Sequence, residues 1–354
     1  MLCQIAGSVY ALFVRAGEFK KGGRNMKKAL AVVMTAVLAA GMTISAFAGE
    51  DLADKKIALL LAGSIDDQGW NATNNAGALA AEEELGVKID VVESVPAEEY
   101  ESTFTEYAEK GYDLIMAAGS QWDESATVVA ENYPDTIFCA INGQISDFPN
   151  QIPVFPKEYE GSYLAGIIAG YTTENGQFAV TGGQSNDPMV KLMDTYEAMA
   201  KKVAEERGIE GAEATRAFVD SWTDVSATKD LLASMIDNGA DTVFCYSNEG
   251  TSGAIQAAEE KGVKFVGFSA DKNGESDCVV GSVSMNWAAV YPTIVENILN
   301  GSWTGKTDIG VAEGVFEVIP TDQMSEECVA AVDEAIEQIK NGEVDFEQYF
   351  EAAE

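Results

Sequence analysis

From residue 55 onward the chain alternates short apolar runs with stretches of helical periodicity, and this alternation constrains the fold more than any other feature. The first half contains four such runs, at 55–62 (KKIALLLA), 88–94 (KIDVVES), 113–119 (DLIMAAG) and 135–142 (DTIFCAIN), with helical patterns near 71–85, 98–110 and 122–132. Continuous apolar strands separated by helices of this length are typical of βαβ units, in which helices cover both faces of a parallel sheet.

The alternation is interrupted once, at 143–159 (GQISDFPNQIPVFPKEY), a segment without periodicity that holds three of the eight prolines. It then restarts with a helix at 159–172. Further strands are predicted at 177–183, 213–220, 241–247 and 264–270, with helices near 188–207, 225–238 and 251–261. A strand and helix at 278–301, a strand at 314–320 and a C-terminal helix complete the pattern.

We therefore predict an α/β protein with two Rossmann-like lobes, whose parallel sheets of about four or five strands are joined by hinge strands. The first lobe is expected to comprise 49–150 and about 278–305, and the second 151–277 and about 306–354, with hinges near 142–156, 269–283 and 302–314.

Residues 26–48 (MKKALAVVMTAVLAAGMTISAFA) have the lysine start, apolar centre and small-residue end of a secretory signal peptide. The alternative is a membrane span, but no second long apolar run follows. Since the signal begins at Met26, residues 1–25 are interpreted as a translated upstream region. We expect the protein to be exported, to the periplasm or the extracellular face of the cell membrane.

Charge and residue usage exclude several classes of function. A formal net charge of −36 argues against binding to nucleic acid or to anionic lipid. The absence of histidine removes Ser-His-Asp and Cys-His nucleophilic sites and imidazole metal ligands. Cys139 and Cys245 are interpreted as small buried hydrophobes, whereas Cys278 and Cys328 either pair or remain free. No cofactor or metal spacing is found.

Ligands of open parallel sheets bind beyond the carboxyl ends of the strands. The loops at those ends are rich in Gly, Ser, Asn and Asp, and lie at 63–71, 119–123, 142–144, 182–188, 220–224, 247–252 and 269–274. If the two lobes face each other, these loops line one cleft.

Three of these loops carry a tryptophan, at Trp70, Trp122 and Trp222. Such rings stack on a planar ligand, although each is also a candidate for packing between elements. Carboxylates in the same loops accept hydrogen bonds from a ligand or cap helices, and the amides Asn71 and Asn142 both donate and accept. The candidate carboxylates are Asp66, Asp67, Asp123, Asp220 and Asp271.

Several longer segments occur in the order seen in the basic membrane protein (BMP) family. They are DDQGWN, YEGSYLAGIIAG, TGGQSNDPMVKLMDTYEAMAKKV, VDSWTDVSATKDLLASMIDNGADTVF, IQAAEEKGVKFVGFSADKN and GSVSMNWAAVY followed by NGSW. Over roughly residues 55–320 the chain thus resembles extracytoplasmic substrate-binding proteins of ABC importers. The resemblance implies a type I periplasmic-binding fold and, from the best understood members, a purine nucleoside or nucleobase as ligand.

The resemblance also implies roles for individual residues. Trp70 and Asn71 match the aromatic-Asn pair of the first binding loop, Asp123 an acid facing the base, Trp222 an aromatic stacked on it, and Gly250 a cleft glycine. Three features depart from the nucleoside binders. Asn74 stands where an aromatic is usual, Ser269 and Asp271 belong to a loop that lacks the ribose-binding acid, and Met285 stands near the position of a ribose-binding lysine. The pattern is closer to a nucleobase-type branch, and the leader has no lipobox cysteine.

The sequence thus predicts a non-enzymatic, monomeric solute-binding protein that delivers a small planar polar ligand, a purine nucleobase or nucleoside, to an ABC permease. The alternatives are a sensory receptor component using the same cleft, a binder of a sugar-like solute, and an exported glycosidase with paired acids.

Overall fold

The structure is a computed structural model that describes residues 52–67 and 69–350. The predicted signal peptide at 26–48 and the upstream residues lie outside this range. None of the helices in the described part of the chain has the length and apolar character that a membrane span needs.

Within the described residues, twelve strands form two six-stranded sheets. In chain order they are β1 (Lys56–Leu61), β2 (Lys88–Val92), β3 (Leu114–Ala118), β4 (Ile137–Ile141), β5 (Val154–Pro156), β6 (Gln177–Gly182), β7 (Glu213–Phe218), β8 (Thr242–Tyr246), β9 (Lys264–Ser269), β10 (Val279–Met285), β11 (Thr307–Ile309) and β12 (Phe316–Pro320). The first sheet has the order β11-β5-β4-β3-β1-β2 and its pairs are parallel. The second has the order β12-β10-β9-β8-β6-β7, and only its edge pair β10–β12 is antiparallel.

Nine α-helices of the described residues connect and cover these sheets. They are α1 (Trp70–Leu85), α2 (Tyr100–Glu109), α3 (Asp123–Ala130), α4 (Glu158–Thr172), α5 (Asp187–Glu206), α6 (Val225–Asp237), α7 (Gly250–Lys261), α8 (Trp287–Leu299) and α9 (Glu326–Lys340). The predicted two-lobed α/β fold is confirmed, with two more short strands, β5 and β11, than the sequence indicated.

The apolar runs became strands because both faces of each sheet are covered. Ile57 to Leu61 of β1 are at most 1% exposed, as expected for a central parallel strand. Helix α4 is buried continuously from Glu160 to Gly170 and packs on α5. Its glycines permit a close approach, since a Cβ added at Gly166 would lie 2.6 Å from the carbonyl oxygen of Tyr196.

The chain crosses between the sheets at three places. It passes from β5 of the first sheet to α4 at Lys157, from β10 of the second sheet to α8 at Asn286, and from β11 to β12 through residues 310–315. Helix α8 packs on α1 of the first lobe, where the Tyr291 hydroxyl donates a 2.6 Å hydrogen bond to Asn74 Oδ1.

These crossings correct the predicted lobe boundaries. Val279–Met285 pairs with β9 and belongs to the second sheet, whereas Val154–Pro156 and Thr307–Ile309 pair with each other at the edge of the first. The predicted hinges at 142–156 and 269–283 are displaced accordingly. An apolar run does not indicate which sheet a strand joins, and three-residue strands are too short to show a period.

Candidate functional site

A cavity of about 590 Å³ lies where the carboxyl ends of strands from both sheets meet. Six of the seven loops that were predicted to line a cleft contribute residues to this cavity. The seventh loop, at 269–274, contributes none of the described lining residues. Its lining residues are Ala62, Gly63, Trp70, Asn71, Tyr100, Gly119, Ser120, Gln121, Asn142, Glu158, Gln184, Ser185, Asn186, Met189, Trp222, Thr223, Tyr246 and Asn248.

The wall formed by the first lobe begins with the loop between β1 and α1. Asp67, 2% exposed, accepts hydrogen bonds from the backbone N–H groups of Gly69, Asn71 and Ala72 at 2.9–3.0 Å and from Asn71 Nδ2 at 2.7 Å. These are the free N–H groups of a helix start, so Asp67 caps α1 and does not line the cavity. The cap fixes Asn71 and with it the neighbouring Trp70, whose ring meets Trp287 edge-on at 5.6 Å.

In the same lobe Tyr100 and Gln121 line the cavity, whereas Trp122, which the sequence analysis expected to line it, does not. The Trp122 indole is fully buried and stacks on the Tyr100 ring with 3.7 Å between centroids, so it supports the ring that lines the cavity. Asp123 also lies behind the wall, where its Oδ2 accepts from the backbone N–H of Gln144 at 2.6 Å. Burial raises the pKa of the Asp123 carboxyl.

The wall formed by the second lobe is built around Trp222. Its backbone carbonyl accepts hydrogen bonds from the Ser247 hydroxyl at 2.6 Å and from the N–H of Gly250 at 3.2 Å. Gly250 therefore holds the tryptophan loop from behind and does not itself line the cavity. Gly183 touches the face of the indole, since a Cβ there would lie 2.3 Å from Trp222 Cε3.

The floor of the cavity is a hydrogen-bonded carboxyl group that the sequence analysis did not single out. Glu158 is 4% exposed, lines the cavity and accepts a 2.9 Å hydrogen bond from the Tyr246 hydroxyl. The Asn142 side chain also hydrogen-bonds to it, and Met285 Sδ lies 3.9 Å from Tyr246 Oη. Burial raises the pKa of Glu158 to about 7.

Glu158 was missed because an acid in the first turn of a helix has an ordinary explanation in the helix dipole. A usable signal was its place at the end of the proline-rich interruption, where the chain crosses between the lobes. The lining amides Gln121, Gln184, Asn186 and Asn248 lie in predicted loops, but amides are common in any loop.

The model of the Bmp family, described as ABC transporter substrate-binding protein PnrA-like, matches residues 54–348. The chain belongs to this family. Family and fold are those of solute-binding proteins, which are non-enzymatic, take a small-molecule ligand, are exported and work with a membrane permease.

Relatives of known name are distant. The putative ABC transporter glucose-binding protein TsgA13 of Haloferax volcanii is 25% identical over 286 residues, covering 79% of this chain and 71% of the relative. The ABC transporter nucleoside-binding protein BmpA of Lactococcus lactis is 23% identical over 304 residues, covering 79% and 85%. An ABC transporter solute-binding protein from Aeropyrum pernix K1 shares the fold, with a TM-score of 0.72 at 19% identity over 82% of this chain and 92% of that one.

In this Bmp-family protein the four predicted site residues that line the cavity are Trp70, Asn71, Asn142 and Trp222. Asn74 is fully buried, and its Nδ2 donates to the carbonyl of Trp70 at 2.8 Å. It therefore braces the tryptophan from inside α1 and lies outside the cavity.

The positions that correspond to ribose-binding residues of the family also lie outside the cavity. Ser269 is 3% exposed, and Asp271 accepts a hydrogen bond from the backbone N–H of Asn273 at 2.9 Å. The neighbouring Lys272 pairs with Glu275 at 2.9 Å, and Met285 is buried beneath Tyr246. None of the four lines the cavity in the described part of the chain.

No group of three or more Cys, Asp or Glu side chains among the described residues is placed to hold a metal ion. All four cysteines there are free and buried, so Cys278 and Cys328 do not pair. The interpretation of Cys139 and Cys245 as buried hydrophobes is confirmed, since both are 0% exposed.

Proposed function

We propose that this protein binds a purine nucleobase or nucleoside between its lobes and delivers it to the permease of an ABC importer. The observation that carries the proposal is the placement of Trp70 and Trp222, which line one cavity from opposite lobes. Aromatic walls with a few polar groups are what a planar heterocycle requires, and about 590 Å³ is within the range of small-molecule sites.

The amide groups around the rings support a heterocycle with both donor and acceptor edges. Asn71 is held by its bond to Asp67, and Gln121 and Gln184 enter from the two lobes. Amides donate and accept at once, as a base edge demands. The nucleobase is favoured over the nucleoside because Ser269, Asp271 and Met285 do not reach the cavity, whereas the nucleoside-binding relative supports the broader class.

A sugar is the second candidate, favoured by the name of the Haloferax volcanii relative. Amides and hydroxyls such as those of Ser120 and Thr223 also suit sugar hydroxyl groups. The two candidates differ in what the tryptophans contribute, since stacking on a flat base uses the whole face of the indole.

Thermal-shift and calorimetric titrations of the purified protein with adenine, hypoxanthine, adenosine, inosine and glucose decide between them. A probe at 100 times its Kd raises the free energy of unfolding by about 2.7 kcal/mol. We expect a purine to bind and Trp222→Ala to weaken its binding at least about fivefold, because base-aromatic stacking contributes about 1–3 kcal/mol per base. Trp303→Ala, a tryptophan outside the cavity, serves as the matched control. Binding of glucose alone would refute the purine assignment.

We also propose that the lobes close on the ligand by rotation about the three crossings at Lys157, Asn286 and 310–315, as hinge-type closure requires few residues. Export by the segment 26–48 is part of the same proposal. N-terminal sequencing of the exported protein is expected to give Gly49 as the first residue, and an earlier start would refute the predicted cleavage.

A further inference from the structure

The floor of the cavity joins both lobes and the crossing between them. Asn142 follows β4 of the first sheet, Tyr246 ends β8 of the second, and Glu158 opens α4 one residue after the crossing at Lys157. Glu158 receives hydrogen bonds from both of the others and still lines the cavity. A ligand that enters between the walls meets this carboxyl at the hinge.

Glu158 also sets the charge that a ligand meets. It is the one Asp or Glu among the described lining residues, and these include no Lys or Arg. The adjacent Lys157 is engaged by Glu160 in an ion pair. Behind the wall of the first lobe stand two further carboxylates, Asp67 and Asp123, which add to the acidic surroundings of the cavity.

A second acceptor lies beside the carboxyl. Asn142 Oδ1 is buried and has no hydrogen-bond partner within the protein. Its backbone is in the left-handed region, with φ of 70°, so an unfavourable conformation holds this side chain at the floor. Leaving a buried acceptor without a donor is unfavourable, and a donor on a ligand that reaches it removes this cost.

We propose that Glu158 is the specificity-determining residue of the cavity, and that with Asn142 it binds an N–H or O–H donor edge of an uncharged or cationic ligand while disfavouring anions. This inference rests on the proposed solute-binding function but not on the purine assignment, because a sugar also presents donors. Within the purine class it favours bases that carry an amino or ring N–H group on the edge facing the hinge.

The test uses Glu158→Gln, which keeps the size of the side chain and replaces one acceptor oxygen by a donor. For whichever of adenine, hypoxanthine, adenosine, inosine or glucose binds the wild type most tightly, we expect the Kd to rise at least tenfold. Glu174→Gln, at an exposed position two residues beyond the C-terminal end of the same helix, removes the same charge and is expected to change the Kd less than twofold.

A Glu158→Gln variant that binds within threefold of the wild type would overturn the inference and leave the proposed function intact. If the wild type binds no purine but binds glucose, and Glu158→Gln weakens the binding of glucose, only the purine assignment is overturned. If no probe binds the wild type, both fail.

A second measurement applies should Glu158→Gln not fold. The affinity of the wild type for the same probe is then compared at pH 8 and pH 6. Protonation of Glu158 removes an acceptor, so the Kd is expected to rise about tenfold over this interval. The other titratable groups near the floor are Tyr246, Asp67, Asp123, Lys157 and Glu160. An affinity that is unchanged between the two pH values would overturn the inference.

Discussion

Replacing Glu158 by glutamine should make the ligand-free protein more stable at alkaline pH. Burial raises the pKa of this carboxyl from 4.5 to about 7, because the cavity floor solvates the charged form poorly. The folded protein therefore holds a proton that the unfolded chain releases between these two values. The contribution of Glu158 to the free energy of unfolding is greatest below pH 4.5 and falls as the pH rises through 7, since ionisation of the buried group opposes folding.

The magnitude follows from the width of that window. A difference of about 2–3 between the two pKa values corresponds to about 3 kcal/mol, most of which is lost between pH 5 and pH 8. Glutamine has no proton to lose. The free energy of unfolding of the wild type minus that of Glu158→Gln is therefore expected to fall by about 2–3 kcal/mol over this interval.

Urea denaturation of the ligand-free proteins at pH 5 and pH 8 measures this difference. The remaining carboxylates titrate in both proteins and cancel in the comparison, and Glu174→Gln provides a second reference with the same net charge. Parallel pH profiles for the wild type and Glu158→Gln would refute the argument, because they would show that the carboxyl has an ordinary pKa. A buried group that destabilises the fold is expected where it is needed for binding.

Further changes test the walls and the core. Gly183→Ala should displace the Trp222 indole, because the added Cβ would lie 2.3 Å from Trp222 Cε3. We expect the Kd of the same probe to rise at least tenfold, while circular dichroism shows that the fold is retained. An unchanged Kd would show that the ring does not touch the ligand. Tyr291→Phe leaves Asn74 Oδ1 without its 2.6 Å donor and should lower the free energy of unfolding by about 1–3 kcal/mol, whereas an unaltered urea midpoint would contradict this bond. Ellman's reagent should titrate the thiols rapidly only after denaturation, because burial protects those of Cys139, Cys245, Cys278 and Cys328.

A structural feature of this protein can be predicted from the sequence when its cause lies in the residues that form it. Strands such as Lys56–Leu61 and Thr242–Tyr246 follow from their own apolar residues, so they were predicted within a residue or two. The sheet that Val279–Met285 joins depends on a partner elsewhere in the chain, and was assigned incorrectly.

The site shows the same limit. The loops and two of the tryptophans could be predicted because strand ends converge in any parallel sheet. The roles of Trp122 and Asp123 could not, because an indole or a carboxylate one residue further along a turn points behind the wall and not into it. Tyr100 comes from a helix start outside the predicted loops, and it lines the cavity while its ring stacks on Trp122.

The backbone adds a regularity that no side-chain pattern reveals. Strands β1 to β5 follow the same order in the first sheet as β6 to β10 in the second. Four residues other than glycine have positive φ among the described residues, and they occupy equivalent places in the two lobes: Ser94 and Asp220 after β2 and β7, and Asn142 and Ser269 at the ends of β4 and β9.

All four lie at the carboxyl edges of their sheets, which face the cavity, and the opposite edges have none. Each edge strand is also tied to its neighbour just beyond its last residue, since Ser94 N–H donates to the Gly63 carbonyl and Val219 N–H to that of Gly182, each at 3.0 Å. Left-handed residues of this kind cost about 1–3 kcal/mol each and persist only where the surroundings enforce them. These strained turns therefore hold the loop backbones in place in the ligand-free protein. The side chains carried by the loops then determine which ligand binds.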